Sequence, residues 1–316
     1  MEAMLEAAHF QLTGHCNLHC RFCGQARGVA AGHGNDDLPV AFWLDIAEQL
    51  KAMSPLPSPM VTLWGGEPLM YSHFDELAKS LKEKGFRLGL ITNGTLIDRH
   101  LEAVSLMDEI HVSIDGREEL NDAVRGVGTF AKIKRNLEML RPFHGHLYCL
   151  VTISDQNVDE LADIPNQLSE LKPDAVTMGQ LIYLNGKEID AYRRYSREHF
   201  GHDAAELEGW RRDDDSDYLM RLQRSVAAFN GRSNDTPASF TPHTRQKACC
   251  RQPWKRIHVR HDGEVGFCTD FFSFSAGNLR EKSLKEIFLG KRADLFREAV
   301  KNGCLSICDH CPWRLQ

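Results

Sequence analysis

Cysteines are the residues of this 316-residue chain with the most obvious capacity for chemistry. They form one group near the N-terminus and a second near the C-terminus, with a single cysteine between: Cys16, Cys20, Cys23, Cys149, Cys249, Cys250, Cys268, Cys304, Cys308 and Cys311. The chain starts with acidic residues where a signal peptide has a basic and then an apolar stretch, which favours a cytoplasmic protein. Because the cytoplasm is reducing, this many thiols predicts two metal sites rather than disulfides.

The N-terminal cysteines lie within eight residues, Cys16 to Cys23. Three thiolates can bind three irons of a [4Fe-4S] cluster and leave the fourth iron open to an outside molecule. A zinc site is the alternative, with His15 or His19 as its fourth ligand.

The segments between the two cysteine groups must position them, and their hydrophobic pattern alternates between strands and helices. Six such units run from Phe10 to Leu181, with strands around residues 10–12, 61–64, 87–91, 110–114, 147–153 and 175–181. This alternation predicts an α/β fold with a parallel sheet, either a partial (β/α)6 TIM barrel or an open sheet. In both folds the active site lies at the carboxyl ends of the strands.

Composition divides the chain into a barrel over residues 1–185, a charged helical connector over 186–245 and a cysteine-rich domain over 246–316. The formal net charge is −6, which argues against a nucleic-acid partner. No apolar run approaches the 18 residues of a membrane span, so we expect no membrane association.

The cysteine spacing, with Phe22 just before the last cysteine, resembles that of the radical S-adenosylmethionine (SAM) enzymes. Further motifs follow in order at successive predicted strand ends, among them Gly65-Gly66-Glu67-Pro68, Thr92-Asn93-Gly94 and Arg125-Gly126. The resemblance covers about residues 9–185 and implies that Cys16, Cys20 and Cys23 hold a [4Fe-4S] cluster that binds SAM. It further implies contacts with each part of the SAM molecule. Gly65, Gly66 and Glu67 would bind its ammonium group and Arg125 its carboxylate, while Ser113 and Asp115 would contact the ribose and Val151 and Ile153 the adenine. Phe22 and Asn93 complete the residues that the resemblance assigns to SAM.

The C-terminal region resembles the auxiliary-cluster domain of radical SAM enzymes called SPASM or, in its shorter form, Twitch. The similar features are a Cys-x2-Pro-Trp segment, a hairpin around Asp262-Gly263 that ends in a cysteine, and a final Cys-x2-Cys. The resemblance implies one auxiliary [4Fe-4S] cluster held by Cys250, Cys268, Cys308 and Cys311. A zinc ribbon with the same four ligands is the alternative.

Three cysteines remain after these assignments. Cys149 lies in an apolar strand and is interpreted as a buried core residue, and Cys304 as a spare ligand or a bystander. Cys249 adjoins Cys250, and we expect it either to be inert or to donate a hydrogen atom to a substrate carbon radical. A cluster bound at Cys250 would then offer a short electron path for restoring the thiol.

The length, the single auxiliary cluster and the double cysteine resemble the radical SAM aminoglycoside epimerases. That resemblance implies catalysis by Cys249, an aminoglycoside-like small molecule as substrate and an external one-electron reductant such as flavodoxin or ferredoxin. The acidic residues Glu206, Glu208, Asp213, Asp214, Asp215 and Asp217 would suit a polycationic substrate, although a solvated acidic loop explains them equally. The alternatives are a radical SAM dehydrogenase or peptide-modifying enzyme, and a non-catalytic zinc or Fe–S binding module.

Overall fold

Apolar residues at alternate positions form a row of parallel strands in the computed structural model, which describes residues 3–23, 37–242, 250–269, 274–303 and 305–311. All six predicted strands are present: β1 (Ala7–Gln11), β2 (Met60–Trp64), β3 (Arg87–Thr92), β4 (Glu109–Ser113), β5 (His146–Ile153) and β6 (Ala175–Gln180). Four more follow: β7 (Ala238–Thr241), β8 (Arg256–Val259), β9 (Glu264–Gly266) and β10 (Gly277–Asn278).

Helices cover the outer side of the sheet and link its strands. Those between β1 and β6 are α1 (Val40–Met53), α2 (Phe74–Glu83), α3 (Leu101–Ser105), α4 (Glu118–Arg125), α5 (Thr129–Met139) and α6 (Ile164–Gln167). The connector contains α7 (Gly186–Tyr195) and α8 (Ser216–Asn230), and the C-terminal region contains α9 (Gln252–Lys255), α10 (Leu284–Phe288) and α11 (Lys291–Lys301). No helix in the described part of the chain has both the length and the apolar character that crossing a bilayer requires.

The described strands form one sheet in the order β10-β9-β8-β1-β2-β3-β4-β5-β6-β7, and the pairs from β8 to β7 are all parallel. The sheet curves, because His9 on β1 interacts electrostatically with His111 on β4, although two strands lie between them. Arg256 on β8 interacts in the same way with Glu109 on β4. The predicted partial TIM barrel with a small C-terminal domain is therefore confirmed.

The two faces of the sheet differ in chemistry. Phe10 packs against Trp43 of α1, with ring centroids 4.9 Å apart, so its side of β1 faces the helices. In register with Phe10 across the sheet lie Leu63, Leu90, Ile110 and Leu147, all buried in the apolar core. Their neighbours along each strand point into the barrel and are more polar, among them His9, Gln11, Thr62, His111 and Thr152. We call this side the inner face.

Three elements depart from the sequence prediction. The helix that the alternating pattern predicts between β5 and β6 is broken into short 3₁₀ turns and α6, because Pro165 supplies no N–H for a continuous helix. Residues 186–245 were predicted as a helical connector, but they also contribute β7 to the sheet. α4, which carries Arg125, was not predicted.

Candidate cluster and SAM sites

The loop with the N-terminal cysteines leaves the carboxyl end of β1, at the edge where a parallel sheet places its active site. Cys16, Cys20 and Cys23 are all half-buried there. A tight turn brings the last two together, since the Cys23 amide donates to the Cys20 carbonyl at 3.1 Å. The structure thus gathers the three predicted cluster ligands on one ordered loop.

Gly65 and Gly66 hold this loop against the end of β2. The Gly66 amide donates to the Thr13 carbonyl at 2.9 Å, and the Glu67 amide donates to the His15 carbonyl at 2.7 Å. A Cβ atom at Gly66 would lie 2.2 Å from the His15 oxygen, and one at Gly65 2.6 Å from the Thr13 oxygen. The sequence predicted that these glycines admit a ligand, but the structure shows that they admit the backbone of the cysteine loop.

A network of amide and hydroxyl groups surrounds Cys16. The Asn93 side-chain amide donates to Asn17 Oδ1 at 2.9 Å and lies 3.9 Å from Cys16 Sγ. Thr95 Oγ1 joins the two asparagines: it accepts from Asn17 Nδ2 at 2.9 Å and donates to Asn93 Oδ1 at 2.6 Å. The Leu18 amide adds a donor 3.4 Å from the same sulfur. Sequence reasoning identified Asn93 but missed Asn17 and Thr95, although Asn17 directly follows a cysteine.

Glu67 is completely buried, so its predicted pairing with a SAM ammonium group needs correction. Its Oε1 accepts from Thr92 Oγ1 at 2.7 Å and from the Leu69 amide at 3.2 Å, while Oε2 accepts from the Asn93 amide at 2.8 Å. Burial raises its pKa to about 7 despite these donors. The main role of Glu67 is therefore to fasten the end of β2 to the end of β3. A ligand can use only the remaining acceptor position of Oε2.

Arg125 and Asp115 form a buried ion pair at 2.8 Å. The second oxygen of Asp115 accepts from the Thr152 amide at 2.9 Å, so both oxygens of this carboxylate already bond to the protein, and its ribose contact stays a prediction. Ser113 is half-buried on the inner face, and its contact with the ribose also stays a prediction.

The Arg125 guanidinium lies over the Phe22 ring, 5.9 Å from its centroid. Burial acts to lower its pKa, but Asp115 and Cys20 together raise it. Only its Nε is used on Asp115, which leaves the fork of the guanidinium for a carboxylate ligand.

Val151 and Ile153 do not face the barrel. Both belong to the helix-facing row of β5 and are buried in the core, together with Cys149. Because side chains alternate along a strand, Leu150 and Thr152 occupy the inner face instead. The side chains of Val151 and Ile153 therefore point away from the barrel interior, where the sequence prediction placed them against the adenine. The core interpretation of Cys149 is confirmed, and burial raises the pKa of its thiol to about 12.

The thiols of the N-terminal loop fit a cluster better than a single metal ion. Burial raises the pKa of Cys16 and Cys20, and each interacts electrostatically with Cys23, so the three sulfurs share one neighbourhood. Among the described residues, no three His, Cys, Asp or Glu side chains converge on one point as zinc requires. A cluster makes no such demand, because each thiolate binds a different iron.

The four C-terminal cysteines are also half-buried, but they come from separate elements. Cys250 precedes α9 and interacts electrostatically with Arg256 at the start of β8, and Cys268 follows β9, which runs back antiparallel to β8. Cys308 lies in the 3₁₀ turn Ser306–His310, and Cys311 follows it.

Helix α7 lies beside Cys268 and Cys308, and it contacts the 3₁₀ turn that carries Cys308. Burial raises the pKa of Tyr192 on α7, and the neighbouring Cys308 and Cys268 raise it further. Glu188, also on α7, lies 2.9 Å from His310 Nε2. Cys249 and Cys304 lie outside the described residues.

The two cysteine groups sit at opposite ends of the sheet edge. Ala7 of β1 pairs with Arg256, near Cys250, whereas Gln11 at the other end of β1 leads into the cysteine loop. Four residues of strand separate these ends by roughly 13 Å. The inner face of the barrel connects them.

Three of the six acidic residues that the sequence singled out in the connector pair with its own arginines, which weakens them as evidence for a polycationic substrate. Asp213 lies 2.8 Å from Arg211, and Glu208 lies 3.3 Å from Arg193. Arg221 reaches Asp217 at 3.6 Å.

A cavity of about 170 Å³ opens beside the cysteine loop at the ends of β5 and β6. It is lined by Arg21, Phe22, residues 154–156 and 181–183, and connector residues 209–211. The connector thus closes one side of the barrel mouth, next to the ring on which Arg125 lies.

Family models match two parts of the chain: the radical SAM superfamily over residues 10–168, and the SPASM iron-sulfur cluster-binding domain over residues 249–312. The chain therefore belongs to the radical SAM superfamily, and its two domains use SAM and [4Fe-4S] clusters.

Three similar proteins extend over most of the chain. The tungsten-containing aldehyde ferredoxin oxidoreductase cofactor-modifying protein of Pyrococcus furiosus is 25% identical over 97% of this chain and 87% of its own. The AdoMet-dependent heme synthase of Methanosarcina barkeri is 27% identical over 95% and 87%. SuiB of Streptococcus suis, solved with bound S-adenosylmethionine, superposes with a TM-score of 0.70 at 16% identity, covering 98% of this chain and 73% of SuiB. At that identity the SuiB match shows the fold alone.

Proposed function

We propose that the chain is a radical SAM epimerase that inverts a C–H stereocentre of a small amino sugar, an aminoglycoside, with Cys249 as the hydrogen donor. The observation that carries the proposal is the direct bond between Cys249 and Cys250. It puts a thiol without an assigned ligand role beside a proposed ligand of the auxiliary cluster.

Each cofactor has a proposed set of residues. Cys16, Cys20 and Cys23 hold the SAM-binding cluster, and Cys250, Cys268, Cys308 and Cys311 hold the auxiliary cluster. Arg125 binds the SAM carboxylate with the fork that Asp115 leaves open, Asn93 and the backbone of Gly65, Gly66 and Glu67 border the SAM site, and Ser113 faces the ribose. With electrons from an external reductant, the bound cofactors supply a 5′-deoxyadenosyl radical that removes one hydrogen atom from the substrate.

Inversion needs hydrogen removal on one side of a carbon and hydrogen return on the other. A substrate held in the barrel has the cysteine loop at one end and Cys250, near Arg256 at the start of β8, at the other, which supports this arrangement. The Cys249 S–H bond breaks as the new C–H bond forms, leaving a thiyl radical. One electron from the external reductant and one proton from water then restore the thiol.

Turnover of neomycin C in deuterated water tests the proposal. The Cys249 thiol exchanges with solvent, so the inverted carbon of the product should carry one deuterium. In Cys249→Ala, 5′-deoxyadenosine should still form while the epimer falls to background. Cys149→Ala is the matched control, since it removes a thiol from the core and should keep the epimer. A product without deuterium, or full activity of Cys249→Ala, would exclude the hydrogen-donor role.

A second candidate is a radical SAM oxidoreductase acting on an anionic substrate. Two arginines, Arg256 and Arg260, lie on the inner-face row of β8, and the similar Methanosarcina barkeri protein is named a heme synthase. Glu109 faces Arg256, and Asp262 lies 2.8 Å from Arg260, so acids offset both charges. An oxidised product without solvent deuterium would favour this candidate over the epimerase.

A further inference from the structure

We infer that Gln11, with His9 and His258, forms a neutral hydrogen-bonding site inside the barrel that binds hydroxyl groups of the substrate. The identity of that substrate rests on the proposed function. The site itself rests on side chains of the inner face that no catalytic step uses.

Gln11 is the central observation. Its side chain is only 1% exposed, yet within the described chain neither its Oε1 nor its Nε2 has a hydrogen-bond partner. The buried Nδ1 atoms of His9 and His258 are also unpartnered there. A buried polar group that makes no hydrogen bond is costly, and native proteins rarely leave several together. Because no described residue satisfies them, we assign a bound molecule as their partner.

These three side chains are neighbours on the inner face of the sheet. Gln11 and His9 are two residues apart on β1 and so lie on the same face, and His258 is paired with His9 across the β1–β8 ladder. The two imidazole rings meet edge to face at 4.6 Å. Trp64, which pairs with Gln11 on β2, lies 6.2 Å from the His258 ring and closes the other side.

The position of Gln11 links the site to catalysis. It is the last residue of β1, and the chain reaches Cys16 five residues later, so Gln11 lies at the end of the barrel where the cysteine loop begins. A substrate carbon that reacts with a radical formed at this loop must enter the same end of the barrel. The groups bonded to that carbon would then lie beside Gln11.

The chemistry of the site favours hydroxyl groups over ions. Burial, and then Arg256, lowers the pKa of His258 to about 3, and burial with His258, Arg256 and His111 lowers that of His9. Both imidazoles are therefore neutral at pH 7, and each offers one donor and one acceptor. The Gln11 amide offers both kinds of group as well. Charged neighbours on the inner face balance, because Arg256 faces Glu109 and Arg260 pairs with Asp262.

Gln11→Leu tests the site in the cluster-loaded enzyme, because the two expected effects have opposite signs. The apolar side chain removes an unsatisfied amide, so the melting temperature without substrate should stay the same or rise. The dissociation constant for neomycin C should increase roughly 10-fold or more, as expected for two lost hydrogen bonds. The affinity for SAM should not change. His258→Phe, which keeps the ring against His9, should show a smaller loss of neomycin C affinity.

Each other result overturns the inference. A lower melting temperature with unchanged neomycin C affinity would mean that ordered water satisfies Gln11, and weaker SAM binding would mean that the amide faces SAM. Should wild-type enzyme fail to bind neomycin C, the proposed function is refuted. In that case the melting temperature of Gln11→Leu alone tests the inference, and a decrease relative to wild type would exclude it.

Discussion

The two cysteine regions of this chain are built in different ways. The N-terminal loop carries its thiols within eight residues and is fastened by neighbouring strand ends, through Gly66 to Thr13, Asn93 to Asn17, and Arg125 beside Phe22. The C-terminal thiols come from segments before α9, after β9 and beyond α11. Among the described residues, α7 of the connector lies beside them, through Tyr192 and the Glu188–His310 pair.

This difference indicates that the barrel pre-organises the first site, whereas a bound group must hold the second together. Hydrogen bonds between backbone segments already fix the N-terminal loop before any metal binds. In the C-terminal region a cluster held by Cys250, Cys268, Cys308 and Cys311 would cross-link segments that are distant in sequence, and such a link stabilises by restricting the unfolded chain.

Cys16→Ser should cause the largest functional loss, because one iron of the SAM-binding cluster loses its ligand. We expect 5′-deoxyadenosine formation to fall to background while circular dichroism stays that of the wild type. Normal SAM cleavage by this variant would contradict the assignment of the N-terminal loop.

Gly66→Ala should disturb the same loop without touching a ligand. The new Cβ would lie 2.2 Å from the His15 oxygen, so the loop must shift. A displacement of about 1 Å can cost on the order of 10²-fold in rate, and we expect at least that loss in 5′-deoxyadenosine formation. Gly231→Ala is the matched control, since its nearest neighbour lies 3.6 Å away and its φ is −87°. Equal activity of both variants would show that the close approach of Gly66 is not needed.

Cys268→Ser should affect the C-terminal region and leave the N-terminal site largely intact. The C-terminal segments should become sensitive to limited proteolysis, while SAM binding and 5′-deoxyadenosine formation stay within a few-fold of wild type. Loss of SAM cleavage to the extent seen in Cys16→Ser would mean that the N-terminal site depends on the C-terminal cluster.

Glu67 should give the smallest effect, which is a dependence of the free energy of unfolding on pH. Burial raises its pKa to about 7 from 4.5, so the folded protein keeps a proton that the unfolded chain releases. The free energy of unfolding should therefore fall as pH rises from 4.5 to 7, by on the order of 3 kcal/mol at most, and then level off. Urea unfolding of wild type and Glu67→Gln at several pH values measures this, and a difference that is constant with pH would contradict it.

Sequence alone was enough to find strands β1 to β6 and to group the cysteines, because both depend on local pattern and spacing. It failed where a side chain's direction or partners decide the role. Val151 and Ile153 were placed on the wrong face of β5, and the partners of Asp115 and Glu67 come from other strands. The acidic residues of the connector suggested a cation site until their arginine partners were visible.

The most direct test of the two-site architecture is the iron content of the anaerobically reconstituted protein, read with its electron paramagnetic resonance spectrum. Two cubes predict about eight irons per chain in the wild type, and about four in either a Cys16/Cys20/Cys23→Ala variant or a Cys268/Cys308/Cys311→Ala variant. The two variants should give different spectra, and only the first should lose the change caused by added SAM. A wild-type protein that holds zinc, or only about four irons, would contradict two independent clusters.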